Sequence, residues 1–190
     1  MIDVRSFILG YYPIRGFVAW QAGDREAIFV DPGGWDDAIP ALLASLGITV
    51  RAILLTHGHP DHTGGMEDMV QRLHAPVYAH TADIAKLPRH PDTLLADGDC
   101  IPCGSVAWRA LSVPGHTAGC LAFAAEDVVF TGDTLFAGSI GGTAGLTEYE
   151  QERASIREQL FPLGDATRVY PAHGPATTIG IERRHNPFLR

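Results

Sequence analysis

The segment from Thr56 to His62, with the sequence THGHPDH, gathers several residues that commonly bind metal ions. It places four candidate ligands within six residues: His57, His59, Asp61 and His62. The apolar run 52–55 directly before it predicts a strand, so these side chains are expected at the edge of a sheet. One ion cannot readily use all four, because successive residues in a turn point in different directions, whereas two neighbouring ions can. Neutral imidazole and carboxylate groups suit zinc, and iron or manganese is also compatible with them.

Three later segments each place one further candidate ligand next to, or one residue away from, a glycine. These are Pro114–Thr117 with His116, Gly132–Phe136 with Asp133, and Tyr170–Pro175 with His173. Each lies at a predicted junction between a strand and a loop, where glycine lets the backbone turn sharply and approach a metal closely. The three residues are therefore further candidate ligands.

The four segments, in this order, resemble the metallo-β-lactamase superfamily, whose signature is His-x-His-x-Asp-His. The resemblance extends from about Phe29 to the carboxyl terminus. It implies two divalent metal ions: His57, His59 and His116 would hold the first, Asp61, His62 and His173 the second, and Asp133 would bridge them. It further implies hydrolysis by a hydroxide held between the metals, with Asp61 steering that hydroxide.

Two other residues are candidates for the hydrogen bonds that orient the ligand histidines. Asp31 ends a predicted strand, and Thr117 follows His116. Both have a local alternative, since Asp31 can cap the turn after its strand and Thr117 can bond only the nearby backbone.

The later segments look most like short, single-domain glyoxalase II (hydroxyacylglutathione hydrolase)-like proteins. This resemblance implies a thioester hydrolase that acts on S-lactoylglutathione or a related thioester. Gly142 and Ala144 stand where that family has a basic residue and an aromatic residue that contact glutathione. Because glycine cannot pair with a carboxylate, the resemblance supports a thioester substrate more strongly than glutathione as its carrier.

The same family resemblance leaves two alternative functions open and argues against a third. A persulfide dioxygenase would bind a single iron through the counterparts of His57, His116 and Asp133, and another metallo-hydrolase would act on a different ester or a lactone. β-Lactamase activity is not expected, because class B β-lactamases typically lack one or both of His62 and Asp133 as metal ligands.

The elements that must position these residues alternate between strand and helix patterns, which predicts an α/β fold. Strands are predicted at 27–30, 52–55, 76–79, 106–113, 120–124, 128–130 and 168–170, and the main helices at 38–46, 66–73 and 148–160. The family resemblance implies an αβ/βα sandwich, in which two mixed sheets face each other, helices cover the outside, and the site lies along one edge.

The three cysteines do not form a disulfide framework. Cys100 and Cys103 have the spacing of a redox motif, but their segment is interpreted as a turn between strands, not as the start of a helix. We therefore expect both to be packing residues, and Cys120 to be a small buried residue.

Length and charge restrict the remaining possibilities. A chain of 190 residues fits one domain, here 1–190, and its net charge of −8 argues against a nucleic-acid partner. The amino terminus has no basic region followed by a long apolar stretch, and no run approaches the length of a membrane span. We expect a cytoplasmic enzyme with a small-molecule substrate and no membrane association, while the oligomeric state stays open.

Overall fold

Two six-stranded sheets form the centre of the fold in a computed structural model that describes residues 1–190. The first sheet contains, in spatial order, β1 (Ile2–Leu9), β2 (Ile14–Gln21), β3 (Glu26–Val30), β4 (Thr49–Leu54), β5 (Val77–His80) and β6 (Thr93–Leu95). The second contains β7 (Cys100–Cys103), β8 (Val106–Ser112), β9 (Leu121–Ala125), β10 (Val128–Gly132), β13 (Arg168–Pro171) and β14 (Thr177–Thr178), while β11 (Leu135–Phe136) and β12 (Ser139–Ile140) pair separately. Each sheet has both parallel and antiparallel pairs, so both are mixed.

Five α-helices accompany the sheets: α1 (Ala38–Leu46), α2 (Pro60–Thr63), α3 (Met66–Leu73), α4 (Leu146–Ser155) and α5 (Ile179–His185). Gly47 ends α1 in the left-handed conformation (φ 64°), as its position after the apolar repeat predicts. The predicted helix 148–160 is two segments, because α4 is followed by a π-helical turn over Ile156–Leu160. No helix is both long enough and apolar enough to cross a membrane.

Three layers of apolar side chains show how the sheets and helices pack. The inner layer lies between the sheets and includes Phe17, Trp108 and Phe130. A second layer, with Met66 and Met69, lies between the first sheet and helices α1 and α3, and a third, with residues such as Ile156, covers the outside of the second sheet. Central strands are therefore buried on both faces. The predicted αβ/βα sandwich is confirmed.

The strand directions place the candidate ligands at one end of the sandwich. Strands β3 and β4 are parallel, and so are β10 and β13, while β8 has the same direction as β10 because both are antiparallel to β9. The loops that follow these five strands carry every candidate ligand and Asp31. A backbone hydrogen bond of 2.8 Å from Leu121 N to Thr56 O joins the two sheets beside those loops.

The segment of Cys100 and Cys103 is a strand, so its interpretation as a turn was wrong. Successive side chains of a strand alternate between its faces, which leaves Cys100 exposed and Cys103 buried. The two thiols therefore point away from each other and are not poised to form a disulfide. Cys120 is buried, as expected, against Thr117.

We expect alkylation of the native protein by iodoacetamide to modify only Cys100. Burial raises the pKa of Cys103 to about 11 and that of Cys120 to about 12, so neither thiol is accessible or ionised at neutral pH. Intact-protein mass spectrometry should show one added group before denaturation and three after it. Two groups on the folded protein would contradict this description of the strand.

Candidate metal centre

The loop after β4 has the local conformation needed to direct four ligands into one space. His57 is buried directly beyond the strand, while His59 is extended (φ −69°, ψ 147°), as a residue before proline usually is. Pro60 then begins the single turn α2, which carries Asp61 and His62.

The first triad consists of His57, His59 and His116. Nδ1 of His59 lies 3.0 Å from Nε2 of His57 and 3.0 Å from Nε2 of His116. The other nitrogen of His57 lies 3.2 Å from the hydroxyl of Thr56, and that of His116 lies 2.6 Å from the Gly142 carbonyl. If each of these outer nitrogens donates, the inner nitrogens of His57 and His116 carry lone pairs toward His59. Three imidazoles then converge on one point, which is the arrangement of a metal site.

The second triad consists of Asp61, His62 and His173. Oδ2 of Asp61 lies 3.9 Å from Nε2 of His62 and 3.5 Å from Nε2 of His173. In each triad the three candidate ligand atoms lie within 4.8 Å of one another. Each triad also takes residues from both sheets, since His116 and His173 follow strands of the second sheet.

Asp133 lies between the two triads. Its Oδ2 is 3.7 Å from Nε2 of His116, and its Oδ1 is 3.3 Å from Nε2 of His62 and 3.6 Å from Nε2 of His173. The preceding Gly132 has φ 51°, and a Cβ at this position would collide with the Thr56 side chain. Glycine therefore lets β10 turn so that the Asp133 carboxylate enters the space between the triads.

Burial and charge make this space suited to cations. Burial, reinforced by the neighbouring histidines, lowers the pKa of His57 well below its ordinary value and favours the neutral ring. Burial also opposes a charge on His62, but Asp31 and Asp133 raise its pKa to about 10. Nε2 of His62 and Oδ1 of Asp133 are buried without hydrogen-bond partners. A divalent ion would take the place of the His62 proton and satisfy both atoms, so the residues fit a metal centre of imidazole and carboxylate ligands.

The structure brings Asp31 to the centre, but not Thr117. Asp31 Oδ2 accepts a hydrogen bond of 3.0 Å from Nδ1 of His62, and its two oxygens also accept bonds from the backbone N–H and the hydroxyl of Thr56. The Thr117 hydroxyl instead donates to Asp83 at 2.7 Å and contacts no imidazole.

Sequence reasoning missed three groups that hold the ligands. Thr56 begins the ligand-rich segment but is not itself a candidate ligand, Gly142 acts through a backbone carbonyl, and Asp83 lies outside all four segments. The position of Thr56 directly before His57 was a usable signal, since a hydroxyl there is within reach of the ring. Gly142 and Asp83 gave no such signal, because they meet the site only through the folding of distant segments.

Comparison with known proteins agrees with this geometry. The sequence profile of the metallo-β-lactamase superfamily matches residues 16–173, which include all seven candidate ligands. The chain belongs to the metallo-β-lactamase superfamily. Members of this superfamily are metal-dependent hydrolases that bind a dinuclear centre.

Three individual proteins show the range within the superfamily. The hydroxyacylglutathione hydrolase GloC of Haemophilus influenzae is 33% identical over 187 residues, covering 87% of this chain and 88% of that protein. The structure of the B3 metallo-β-lactamase BLEG-1 superposes with a TM-score of 0.89 at 32% identity, covering 98% of this chain and 99% of that one. The di-iron-bound form of TTHA1623 gives a TM-score of 0.82 at 32% identity, covering 97% and 100%.

The contact between Asp31 and His62 leads to a prediction for the Asp31→Asn variant. Asn tolerates the left-handed backbone that Asp31 adopts (φ 54°), so the loop should keep its shape. One oxygen becomes an N–H₂ donor and can no longer accept all three hydrogen bonds, which frees the His62 ring. We expect the second triad to bind metal about 10–100-fold more weakly, the usual effect of losing such a partner.

Stepwise titration of the metal-free Asp31→Asn protein with Zn²⁺ checks this. The affinity of the first triad for Zn²⁺ should stay close to that in the unmodified protein, and only the affinity of the second triad should fall. An unchanged second step would show that Asp31 does not orient His62.

Proposed function

We propose that the chain is a dinuclear metal-dependent thioester hydrolase of the glyoxalase II type. The observation that carries the proposal is the placement of Asp133 between two complete triads, with one carboxylate oxygen toward each. Two metal ions held side by side by these triads would repel each other, and a carboxylate that both could share would offset that repulsion. In this proposal residues 1–190 act as one domain, because each triad needs loops from both sheets.

The donor set favours zinc, with iron or manganese as alternatives. Bound in pairs, such ions would supply Lewis-acid activation of a substrate carbonyl and of a water nucleophile near neutral pH. Asp61 has about a quarter of its side chain exposed (23%), whereas Asp133 is nearly buried (11%). We therefore assign to Asp61 the role of accepting a hydrogen bond from the attacking water and orienting it.

A thioester substrate is favoured because its leaving group does not need a proton from a general acid. A thiolate departs without a proton, and the residues that converge on the centre are imidazoles and carboxylates that the metals would occupy, which leaves no free general acid among them. The similarity to GloC supports the same substrate class. The similarity to TTHA1623 supports a centre with two metals.

Gly142 bears on the carrier part of the substrate. Its carbonyl accepts the hydrogen bond from His116, and it has no side chain that could pair with a carboxylate of glutathione. We infer that the acyl group and the thioester carbonyl contribute more to recognition than the glutathione carboxylates.

The deciding experiment combines metal content with turnover of three substrates. The protein, purified without added metal, is analysed for metals and assayed with S-lactoylglutathione, with a lactoyl thioester of uncharged N-acetylcysteamine, and with a β-lactam. Two metals per chain and comparable turnover of both thioesters are expected. One iron per chain, with oxygen uptake on glutathione persulfide, would replace the hydrolase by a dioxygenase. Preferential β-lactam hydrolysis, which the likeness to BLEG-1 makes worth testing, would overturn the thioester assignment.

A further inference from the structure

We propose that Asp83 is a positioning residue that holds the two loops of the first triad at the spacing required to bind metal. Asp83 belongs to the 3₁₀ segment Thr81–Lys86 and is 2% exposed. It touches none of the candidate ligand nitrogens and acts through residues beside them. The inference rests on the proposed function only in assuming that the first triad binds a metal ion.

The carboxylate of Asp83 is bonded to both loops at once. Its Oδ2 accepts a hydrogen bond of 3.0 Å from the backbone N–H of Gly58 and one of 2.7 Å from the hydroxyl of Thr117. Gly58 is the residue between His57 and His59, and Thr117 follows His116. One oxygen atom therefore joins the loop after β4, which carries two histidines of the triad, to the loop after β8, which carries the third.

The second oxygen fixes the orientation of the carboxylate. Asp83 Oδ1 lies 2.8 Å from Nζ of Lys86, three residues later in the same segment. Because the Lys86 side chain is about half exposed, this ion pair contributes little to stability on its own. Its effect is to turn Oδ2 toward the two loops.

Close packing shows that the loops are built around this side chain. A Cβ at Gly119 would lie 2.6 Å from Cγ of Asp83, and a Cβ at Gly58 would lie 3.0 Å from the Cβ atoms of Asp83 and Lys86. The backbones at both positions therefore approach Asp83 as closely as glycine allows.

Loss of the carboxylate would leave a buried N–H and a buried hydroxyl without their partner, which favours movement of both loops. The ring nitrogens of the first triad are 3.0 Å apart in each contact and have little tolerance for such movement. The second triad has no bond to Asp83. We therefore expect metal affinity to fall at the first triad alone, by about 10–100-fold, which is the effect typical of losing a group that orients metal ligands.

The test is a stepwise Co²⁺ titration of metal-free protein, read by the visible spectrum of the bound ion. Asp83→Ala should lose about 10–100-fold in affinity at the first triad, with altered Co²⁺ absorption, and keep the second. Asp83→Asn should restore most of the affinity, because its amide oxygen can still accept both loop hydrogen bonds, while the half-exposed Lys86 side chain can turn into solvent away from the N–H₂ group that replaces Oδ1. Asp92→Ala is the matched control, since Asp92 also accepts a backbone hydrogen bond but lies away from the centre.

The outcomes separate this inference from the proposed function. The inference about Asp83 would be overturned by an unchanged Co²⁺ affinity in folded Asp83→Ala. It would also be overturned by equal weakening of both triads, or by failure of Asp83→Asn to restore binding. If Asp83→Ala does not fold, Thr117→Val removes one of the two loop bonds and should weaken the first triad alone, and an unchanged titration would overturn the inference. If the unmodified protein binds no Co²⁺, the proposed function fails.

Discussion

Replacing Asp133 by alanine is expected to remove tightly bound metal from both triads and to abolish hydrolysis. The carboxylate is within 3.7 Å of histidines from each triad. Its loss would therefore remove a candidate ligand from both triads, together with the negative charge that offsets repulsion between two cations. The fall in activity should exceed the about 10–100-fold typical for losing an outer hydrogen-bond partner, because Asp133 is itself a candidate ligand. Metal analysis after gel filtration should find fewer than one ion per chain.

The matched control for this variant is Asp127→Ala. Asp127 precedes the same strand, β10, but its side chain is about half exposed and pairs with Arg168, and loss of such a pair near the surface costs at most about 1 kcal/mol. This control should keep two metals and full turnover. Two tightly bound metals in Asp133→Ala would contradict the bridging role.

Replacing Glu152 by glutamine is expected to stabilise the metal-free protein increasingly as pH rises from about 5 to about 8. Glu152, in α4, is fully buried, and neither of its carboxyl oxygens has a hydrogen-bond partner. Burial, followed by the negative charge of Asp133, raises its pKa to about 8 from an ordinary value of 4.5. The folded state thus keeps a proton that the unfolded state releases.

The direction of the pH effect follows from this difference. Between the two pKa values the unfolded state binds fewer protons, so the stability that protonated Glu152 contributes is present below pH 4.5 and is lost as pH rises toward 8. Glutamine has a similar shape and does not titrate. The difference in unfolding free energy between the variant and the unmodified protein should reach roughly 4 kcal/mol near pH 8.

Urea unfolding at pH 5 and pH 8, with a chelator present, measures this difference. Glu158→Gln is a suitable control, because Glu158 follows in the next turn and is exposed. That variant should follow the unmodified protein at both values. A Glu152→Gln curve parallel to the unmodified one across this range would show that Glu152 is ionised in the folded protein.

Residue types at the ends of predicted strands indicated the candidate ligands, and the family resemblance then divided them between two metals. A run of apolar residues followed by THGHPDH predicts a strand with metal ligands at its end. Asp133 and His173 likewise follow apolar segments that were predicted to be strands. The layered architecture was different. Strands buried on both faces lack the alternation that would reveal two facing sheets, so the sandwich depended on the family resemblance.

Contacts between distant segments explain most of what the sequence did not reveal. Thr117 was a candidate for contacting either an imidazole or only the nearby backbone, yet its hydroxyl bonds Asp83, which lies 34 residues earlier in the chain. Likewise, the Gly142 carbonyl reaches His116 across 26 residues. The buried carboxyl of Glu152 contradicts the usual exposure of glutamate and is determined by the packing of α4.

The division of each triad between the two sheets links metal supply to folding itself. Metal ions that bind only the assembled centre would stabilise the contact between the two sheets. A free metal concentration 100 times the dissociation constant would add about 2.7 kcal/mol per site to the free energy of unfolding. A shortage of metal would then lower the stability of the folded chain, although the apolar layer between the sheets would still hold them together, and would raise the fraction open to proteolysis. If the centre binds metal, the amount of folded protein is expected to depend on the supply of that metal.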